Sequence, residues 1–180
     1  EITDSLVGSE MCIRDRSFDN ADEVERVNFL CLKNAVNSAI KNNAKLIHLS
    51  STSVYGTQVS EVDENCNIDD LKPQSPYALS KINEENFLKQ TNDLKFTILR
   101  FGTIFGIAPG IRFHTAVNKF CFQACMREPL TVWTTALNQK RPYLDIGDAT
   151  KSIAFVIEKN LFDSEIFNVV TCNFTVNDIL

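Results

Sequence analysis

A tyrosine and a lysine four positions apart form the clearest chemical pair in this sequence. Tyr77 and Lys81 are separated by Ala-Leu-Ser, and on a helix this spacing stacks both side chains on one face. A lysine ammonium beside a phenol favours the phenolate, so we expect the pKa of Tyr77 to fall from about 10 towards neutral pH. Such a phenol can act as a general acid or base. The spacing alone is also typical of an amphipathic helix with a surface lysine.

A second group of hydroxyls follows a short apolar segment. Residues 45–50 are typical of a strand in a parallel sheet covered on both faces, and Ser51 and Thr52 come directly after them. The carboxyl ends of parallel strands are where α/β folds place ligands, so these hydroxyls are candidates for substrate contacts. Their alternative role is to cap the loop. Ser51 precedes Tyr77 by 26 residues, across a polar loop.

The elements that must position these residues alternate between helix and strand. Apolar residues recur at helical spacing over 21–42, and Ser75 with Pro76 predicts the start of a helix that extends to about residue 90. Further helices are predicted over about 113–127, from Asp148 as N-cap to 158, and after Thr175. Further strands are predicted at 96–101, 130–133 and 166–170. This alternation predicts βαβ units, a parallel sheet and the α/β class.

Two features of the sequence indicate a piece of a larger protein. No G-x-G-x-x-G turn follows a strand, so the phosphate-binding turn of a dinucleotide site is missing, and the helix–strand pattern starts and stops in mid-course. Residues 1–16 have no helical or strand period and lack the basic start and apolar centre of a signal peptide. They resemble translated adaptor sequence, and we interpret them as a non-native leader.

Three segments, in this order, resemble the extended short-chain dehydrogenases/reductases, the NAD-dependent epimerase/dehydratase family that includes UDP-glucose 4-epimerase. They are Leu46-Ile-His-Leu-Ser-Ser-Thr-Ser-Val-Tyr-Gly56, Ser75-Pro-Tyr-Ala-Leu-Ser-Lys81 and Leu99-Arg-Phe-Gly-Thr-Ile-Phe-Gly106. The resemblance extends over about 17–180 and implies a Rossmann-like, doubly wound parallel sheet without its first βαβ unit. Residues 17–105 would form the C-terminal part of the NAD-binding domain. Residues 106–180 would form part of a small substrate-binding region with interleaved Rossmann elements.

The resemblance also implies roles for individual residues. Ser51, Tyr77 and Lys81 would be the catalytic set: Ser51 hydrogen-bonds the reacting sugar oxygen, Tyr77 transfers the proton, and Lys81 holds the nicotinamide ribose and lowers the pKa of the phenol. Cofactor contacts are implied for Asn28, Tyr77, Lys81, Phe101 and Gly102. Asn28 has an alternative role as a helix-to-strand hydrogen bond.

The resemblance implies substrate contacts in both the NAD-binding part and the substrate-binding region of the chain. They are assigned to Ser51, Thr52, Thr103, Asn118, Thr131, Trp133 and Arg141. Asn118 and Arg141 would contact the nucleotide diphosphate, for which the rigid donor fork of arginine is well suited. Trp133 would stack on the nucleotide base, or it is simply a core residue.

Departures from the family pattern narrow the implied reaction. The dehydratases of the family usually carry acidic residues directly after the catalytic hydroxyl, where this chain has Thr52 and Ser53. Epimerisation through a transient keto sugar is therefore favoured over loss of water, with a nucleotide-sugar reductase, a dehydratase or a non-catalytic cofactor-sensing or protein-binding relative as alternatives. The family often has His at Asp145 and Asn at Thr103, which alters the expected substrate contacts there.

Composition argues against several other classes of protein. The chain has 18 basic and 23 acidic residues, a net charge of −5 and no basic run, which argues against nucleic acid or an anionic membrane as partner. Its apolar runs are too short to span a membrane. Six cysteines at irregular spacings and two histidines favour free thiols over a metal site. We expect a cytoplasmic enzyme that uses NAD or NADP on a nucleotide sugar, inactive as this fragment; the resemblance implies a homodimer for the full-length protein.

Overall fold

The computed structural model describes residues 21–56, 62–113, 115–130, 132 and 137–180. Its helices are α1 (Ala21–Lys41), α2 (Pro76–Lys89), α3 (Ala116–Cys125), α4 (Ile146–Glu158) and α5 (Val176–Ile179). Its strands are β1 (Leu46–Ser51), β2 (Phe96–Phe101), β3 (Thr103–Phe105), β4 (Arg141–Asp145), β5 (Ile166–Val169) and β6 (Cys172–Phe174). Short 3₁₀ turns occupy Thr52–Tyr55 and Ile68–Asp70. The alternation of helices and strands confirms the predicted α/β class.

Three strands form a parallel sheet in the order β1-β2-β5. Leu46 pairs with Phe96 and Ser51 with Phe101, so β1 and β2 end at the same edge of the sheet. All six residues of the central strand β2 are buried, as its nearly continuous apolar sequence predicts. This sheet is the Rossmann-like part of the fold.

Helices cover both faces of this sheet because successive residues of β2 point to opposite sides. The core on the side of α1 and α2 contains Leu32, Val36, Leu88, Phe96 and Ile98. The core on the side of α4 contains Leu99, Phe101, Leu144, Ala149 and Val156. The sheet is thus wound on both faces. In the described part of the chain, no helix combines the length and apolarity needed to cross a bilayer.

A second, smaller sheet lies beside the first and was not predicted from the sequence. Its order is β3-β4-β6, with β3 parallel and β6 antiparallel to β4. Only Gly102 separates β2 from β3, and a Cβ atom at Gly102 would lie 3.0 Å from the carbonyl oxygen of Pro142. The predicted strand at 130–133 is wrong for Leu130 and Val132, which are in no strand; its other two residues lie outside the described part.

The N-cap residues of three helices can be compared with the helix starts predicted from the sequence. Ser75 caps α2, as predicted, and α5 begins after Thr175, as predicted. Thr175 also forms a capping box with Asp178, which was not predicted. The prediction of Asp148 as the cap of α4 is wrong. Asp145 caps this helix, its Oδ1 accepting a hydrogen bond from the Gly147 amide at 2.8 Å. β4 runs directly into α4, so the carboxylate at the end of the strand takes the capping position, and Asp148 lies in the first turn.

A buried polar network joins α2 to the centre of the parallel sheet. Arg100 of β2 donates from Nε and Nη2 to the two carboxylate oxygens of Glu85 at 2.9 and 2.6 Å, and from Nη1 to the Tyr55 hydroxyl at 2.8 Å. Ser50 donates to Glu85 at 2.6 Å, and the Tyr55 hydroxyl donates to Asn168 Oδ1 at 2.9 Å. Burial opposes the guanidinium charge, but the hydrogen bonds and charge of Glu85 outweigh it and raise the pKa of Arg100.

Replacing Arg100 with methionine should be strongly destabilising. The change fills similar volume but leaves the Glu85 carboxylate buried without its partner, and removing one member of a buried pair costs about 3–5 kcal/mol. Urea denaturation measures the loss. The control is Lys151→Met, which removes a salt bridge to Asp148 that is largely exposed and should change little. A loss for Arg100→Met no greater than for the control would contradict this role.

A glycine holds the backbone after the first 3₁₀ turn in a conformation that other residues rarely adopt. Gly56 has φ 64° and ψ −148° and donates its amide to the carbonyl of Ser53. A Cβ atom at this position would lie 1.8 Å from the carbonyl oxygen of Lys72. The turn that follows β1 therefore requires glycine both for its dihedral angles and for the close approach of the Lys72 backbone.

Gly56→Ala should accordingly destabilise the protein by more than the roughly 1–3 kcal/mol of the strained backbone alone, because Lys72 must also move. Gly110→Ala is the matched control, since a Cβ at Gly110 meets nothing within 4 Å. Thermal and urea unfolding of both variants would measure the difference. Equal stability of the two variants would show that the Gly56 turn can rearrange freely.

Candidate active site

Ser51 and Thr52 lie at the carboxyl edge of the parallel sheet. The Ser51 hydroxyl accepts a hydrogen bond from the Ser53 amide at 3.1 Å and caps the 3₁₀ turn, so the loop-capping alternative is observed. That bond uses a lone pair of the hydroxyl and not its proton. Thr52 Oγ1 donates to the carbonyl of Phe101 at 3.2 Å. Both hydroxyls therefore lie at the edge where α/β folds bind ligands.

Helix α2 presents Tyr77 and Lys81 one turn apart near its start. Ser75 Oγ accepts a hydrogen bond from the Ala78 amide at 3.1 Å, and Pro76 occupies the first helical position. The Lys81 Nζ lies 5.7 Å from the centroid of the Tyr77 ring. The stacking predicted from the four-residue spacing is therefore observed.

Contacts between β1 and α2 direct the Tyr77 end of the helix towards Ser51. His48, within β1, contacts Glu84, while the 3₁₀ turn that follows β1 packs on Ile82, nearer the start of α2. The helix thus runs opposite to the strand. Tyr77 precedes Ile82 by five residues, about 7.5 Å along the helix axis, and so lies further in the direction in which β1 ends. Tyr77 therefore lies towards the end of β1 that carries Ser51, and Lys81 follows one turn later on the helix.

The prediction that Lys81 lowers the pKa of Tyr77 is wrong. Burial and, to a lesser extent, the negative charge of Glu84 raise the pKa of Tyr77 above its ordinary value. The reason is that the ammonium group of Lys81 is bound 2.8 Å from Glu84 Oε2. The carboxylate offsets the positive charge that was expected to favour the phenolate, and burial of the phenol then decides the direction.

The residues predicted to contact the cofactor are distributed over two elements besides α2. Phe101 ends β2 and is buried, and the amide of the buried Gly102 donates to the carbonyl of Val169 at 3.0 Å. Asn28 is half-buried on α1, one turn before Leu32 on the same face of the helix. Its alternative helix-to-strand hydrogen bond is not formed among the described residues. Their cofactor roles remain predictions.

Of the residues predicted to contact the substrate beyond residue 102, Asn118 has the best-defined surroundings. It is buried on α3; its Oδ1 accepts from the Gly106 amide at 3.1 Å, and its Nδ2 donates to the carbonyl of Arg112 at 3.0 Å. Asn118 therefore braces the loop after β3 in this structure. Its diphosphate contact remains a prediction.

The remaining substrate candidates lie in or near the smaller sheet. Thr103 is half-buried in β3, beside Tyr143 of β4. Arg141 is exposed at the start of β4, and one of its Nη atoms donates to Gln139 Oε1 at 2.8 Å. Thr131 and Trp133 lie outside the described residues. Within the described part, no group of three or more His, Cys, Asp and Glu side chains is placed to hold a metal ion.

Sequence reasoning missed the buried ionisable residues that support the site. They are His48, Glu84, Glu85 and Arg100. A signal for two of them is present: Arg100 interrupts the apolar segment of β2, and His48 interrupts that of β1. A charged or polar residue inside a buried strand needs a buried partner, and this requirement points to the inner face of the next helix.

Comparison with known proteins identifies the family. The profile of the NAD dependent epimerase/dehydratase family matches residues 10–169. The chain is 32% identical over 126 residues to the uncharacterised UDP-glucose epimerase YtcB of Bacillus subtilis, a match that covers 68% of this chain and 38% of YtcB.

Solved structures support the same conclusion. DesIV, a dTDP-glucose 4,6-dehydratase from Streptomyces venezuelae crystallised with NAD, superposes with a TM-score of 0.77 at 22% identity, over 92% of this chain and 51% of DesIV. UDP-glucuronic acid 4-epimerase from Bacillus cereus, crystallised with UDP-glucuronic acid and NAD, superposes with a TM-score of 0.72 at 25% identity, over 84% of this chain and 48% of the epimerase. The chain thus spans about half or less of these relatives. Because the family profile matches most of the sequence, and the folds agree, the chain belongs to the NAD-dependent epimerase/dehydratase family.

Proposed function

We propose that the full-length protein is an NAD-dependent nucleotide-sugar epimerase that acts through a transient keto sugar. The observation that supports the proposal is the stacked pair of Tyr77 and Lys81 on α2, whose Tyr77 end is directed towards the edge of the parallel sheet that carries Ser51. Membership of the family supports it, since this family modifies nucleotide sugars with NAD.

The residues at this edge fit the nicotinamide end of NAD. A half-buried phenol and an ammonium group share one face of α2, and Phe101, at the end of the central strand, pairs with Ser51. In this proposal Lys81 would hold the ribose hydroxyls, and bound NAD would supply reversible hydride transfer at the sugar carbon. The residues for the diphosphate end have no counterpart in this sequence, which contains no glycine-rich phosphate turn.

In the proposed mechanism, Tyr77 removes the proton of a sugar hydroxyl and later returns it to the keto oxygen. Ser51 donates its proton in a hydrogen bond to the same oxygen, while its lone pair is held by the Ser53 amide. Removing the proton requires the phenolate. Because the pKa of Tyr77 is raised, the rate of this step should increase as the pH rises through that pKa.

The side chains after Ser51 favour epimerisation over loss of water. Thr52 donates its hydroxyl to a backbone carbonyl, Ser53 is exposed, and neither can supply a carboxylic acid to expel hydroxide. A product analysis distinguishes the reactions in the full-length protein. With NAD and UDP-glucose or UDP-glucuronic acid, an epimerase yields a stereoisomer without net NADH. Stoichiometric oxidation of added NADH or NADPH would indicate a reductase, and a keto product formed with loss of water would indicate a dehydratase. No turnover with a panel of nucleotide sugars would contradict the proposal.

Tyr77→Phe in the full-length protein should lower turnover about a hundred- to ten-thousand-fold, because only the oxygen that transfers the proton is lost. NAD affinity, measured by fluorescence or calorimetry, should stay close to that of the unaltered protein. Tyr143→Phe removes a phenolic oxygen from β4 and serves as the control, with near-normal turnover. Near-normal turnover in the Tyr77 variant would remove this residue from the mechanism.

Arg141→Ala should weaken nucleotide-sugar binding roughly ten- to a hundredfold, the effect of losing a charge-assisted contact of about 1.5–3 kcal/mol. NAD binding should hardly change. Arg26→Ala, at an exposed position on α1, is the control for the loss of one positive charge. Calorimetric titrations that showed weaker NAD binding and unchanged sugar-nucleotide binding would show that Arg141 does not lie on the substrate side.

A further inference from the structure

A buried carboxylate on α2 binds the lysine of the candidate catalytic set. Glu84 is only 2% exposed, and its Oε2 lies 2.8 Å from Lys81 Nζ and 3.2 Å from His48 Nε2. Ser80 Oγ donates to the other carboxylate oxygen at 3.2 Å. The His48 contact is close but does not meet hydrogen-bond geometry, whereas the Lys81 ammonium group donates a hydrogen bond to this carboxylate.

Glu84 is negatively charged at neutral pH. Burial disfavours its charged form, but the contacts with His48 and Lys81 outweigh burial and keep the pKa of Glu84 below its ordinary value. Without the ammonium group of Lys81, the buried Glu84 carboxylate would lose the positive charge that is hydrogen-bonded to it. Losing this charge is costly, so the ammonium group of Lys81 is held firmly. The position of Lys81 is thus set by a residue to which the proposed mechanism assigns no role.

Tyr77, Lys81 and Glu84 form a single stripe along α2. They occupy positions i, i+4 and i+7, which lie on one face of a helix, and Lys81 stands between the phenol and the carboxylate. The phenol lies near enough to the carboxylate for the charge of Glu84 to act on its ionisation. Both the presence of this charge and its hold on Lys81 therefore oppose formation of the phenolate.

We propose that Glu84 is a positioning residue: it anchors the ammonium group of Lys81 and, through this hold and through its own charge, fixes the pH range in which Tyr77 transfers a proton. This inference rests on the proposed function, because it assigns Tyr77 and Lys81 the roles given there. Glu84 itself contacts neither substrate nor cofactor in this proposal.

The other ionisable groups that face the stripe, among the described residues, come from three elements. From β1, His48 faces Glu84. From β2, Arg100 faces the helix, but its charge is matched by the bidentate pair with Glu85. From α1, Glu25 accepts a hydrogen bond from Asn83 at 2.7 Å. Glu84 is therefore the carboxylate whose neutralisation acts most directly on Lys81 and Tyr77.

The test is Glu84→Gln in the full-length protein, which keeps the shape of the side chain and removes its charge. We expect the rise of kcat/KM with pH to move to lower pH, because the opposing charge is gone and Lys81 is released towards the phenol. The pH titration of the Tyr77 phenolate, followed by its ultraviolet absorbance, should also move to lower pH. The contribution of the other tyrosines is removed by subtracting the titration of the same protein with Tyr77→Phe added.

Ser80→Ala is the matched control, since it removes a hydrogen bond from Glu84 and leaves every charge in place. It should lower stability without moving either titration. If Glu84 were only structural, Glu84→Gln would behave like Ser80→Ala, and an unmoved pH profile and phenolate titration would overturn the proposal.

A second comparison applies if Glu84→Gln does not fold. Lys81→Met removes the positive charge alone and should shift the phenolate titration of Tyr77 to higher pH. The double variant Lys81→Met, Glu84→Gln removes both charges of the pair, and its titration should lie at lower pH than that of Lys81→Met. Identical titrations of these two variants would overturn the proposal.

The absorbance measurement needs no substrate, so it tests the role of Glu84 separately from the proposed function. A shifted titration in a protein without turnover would reject the proposed function alone. Normal turnover with no shift would reject the role of Glu84 alone.

Discussion

The buried pair of Glu85 and Arg100 is the interaction on which the arrangement of this site depends. It ties α2 to the central strand, and through Ser50 and Tyr55 it also holds the end of β1 and the turn that follows. Two charges buried among apolar side chains tolerate little displacement, because each needs the other within hydrogen-bonding distance. The helix that carries Tyr77 is therefore held in register with the strand that carries Ser51.

A second pair of opposite charges, one residue earlier on the same helix, serves a different purpose. Glu85 lies on the face of α2 towards Arg100 and the sheet core, whereas Glu84 points along the stripe towards Lys81 and Tyr77. Adjacent carboxylates on one helix thus have different roles: Glu85 fixes the position of the helix, and Glu84, in the role proposed above, sets the charge around Lys81 and Tyr77. Burial holds the pair of Glu85 and Arg100 rigidly in place. Burial also strengthens the interaction of Glu84 with Lys81, since charges interact more strongly where water is excluded.

Local signals in the sequence were sufficient for the elements that carry the candidate site. Ser75 and Pro76 predicted the start of α2, and the apolar segment of β2 predicted a central buried strand. The smaller sheet was missed because its strands are three to five residues long and pair with distant segments, as Thr103 does with Tyr143. The direction of the Tyr77 pKa shift was missed for a related reason: nothing in the spacing of Lys81 shows that the next carboxylate along the helix is buried and binds it.

The single residue between β2 and β3 has a consequence for how members of this family can be joined into chimeras. The chain leaves the parallel sheet at Gly102, returns to it at β5, and leaves again for β6 after two residues. Each sheet is therefore assembled from segments that alternate along the chain. A chimera that joined this protein to a relative at any one junction in this region would divide at least one sheet between two parents. Exchange of substrate preference between relatives should accordingly proceed by substitution of individual side chains rather than by transfer of an intact module.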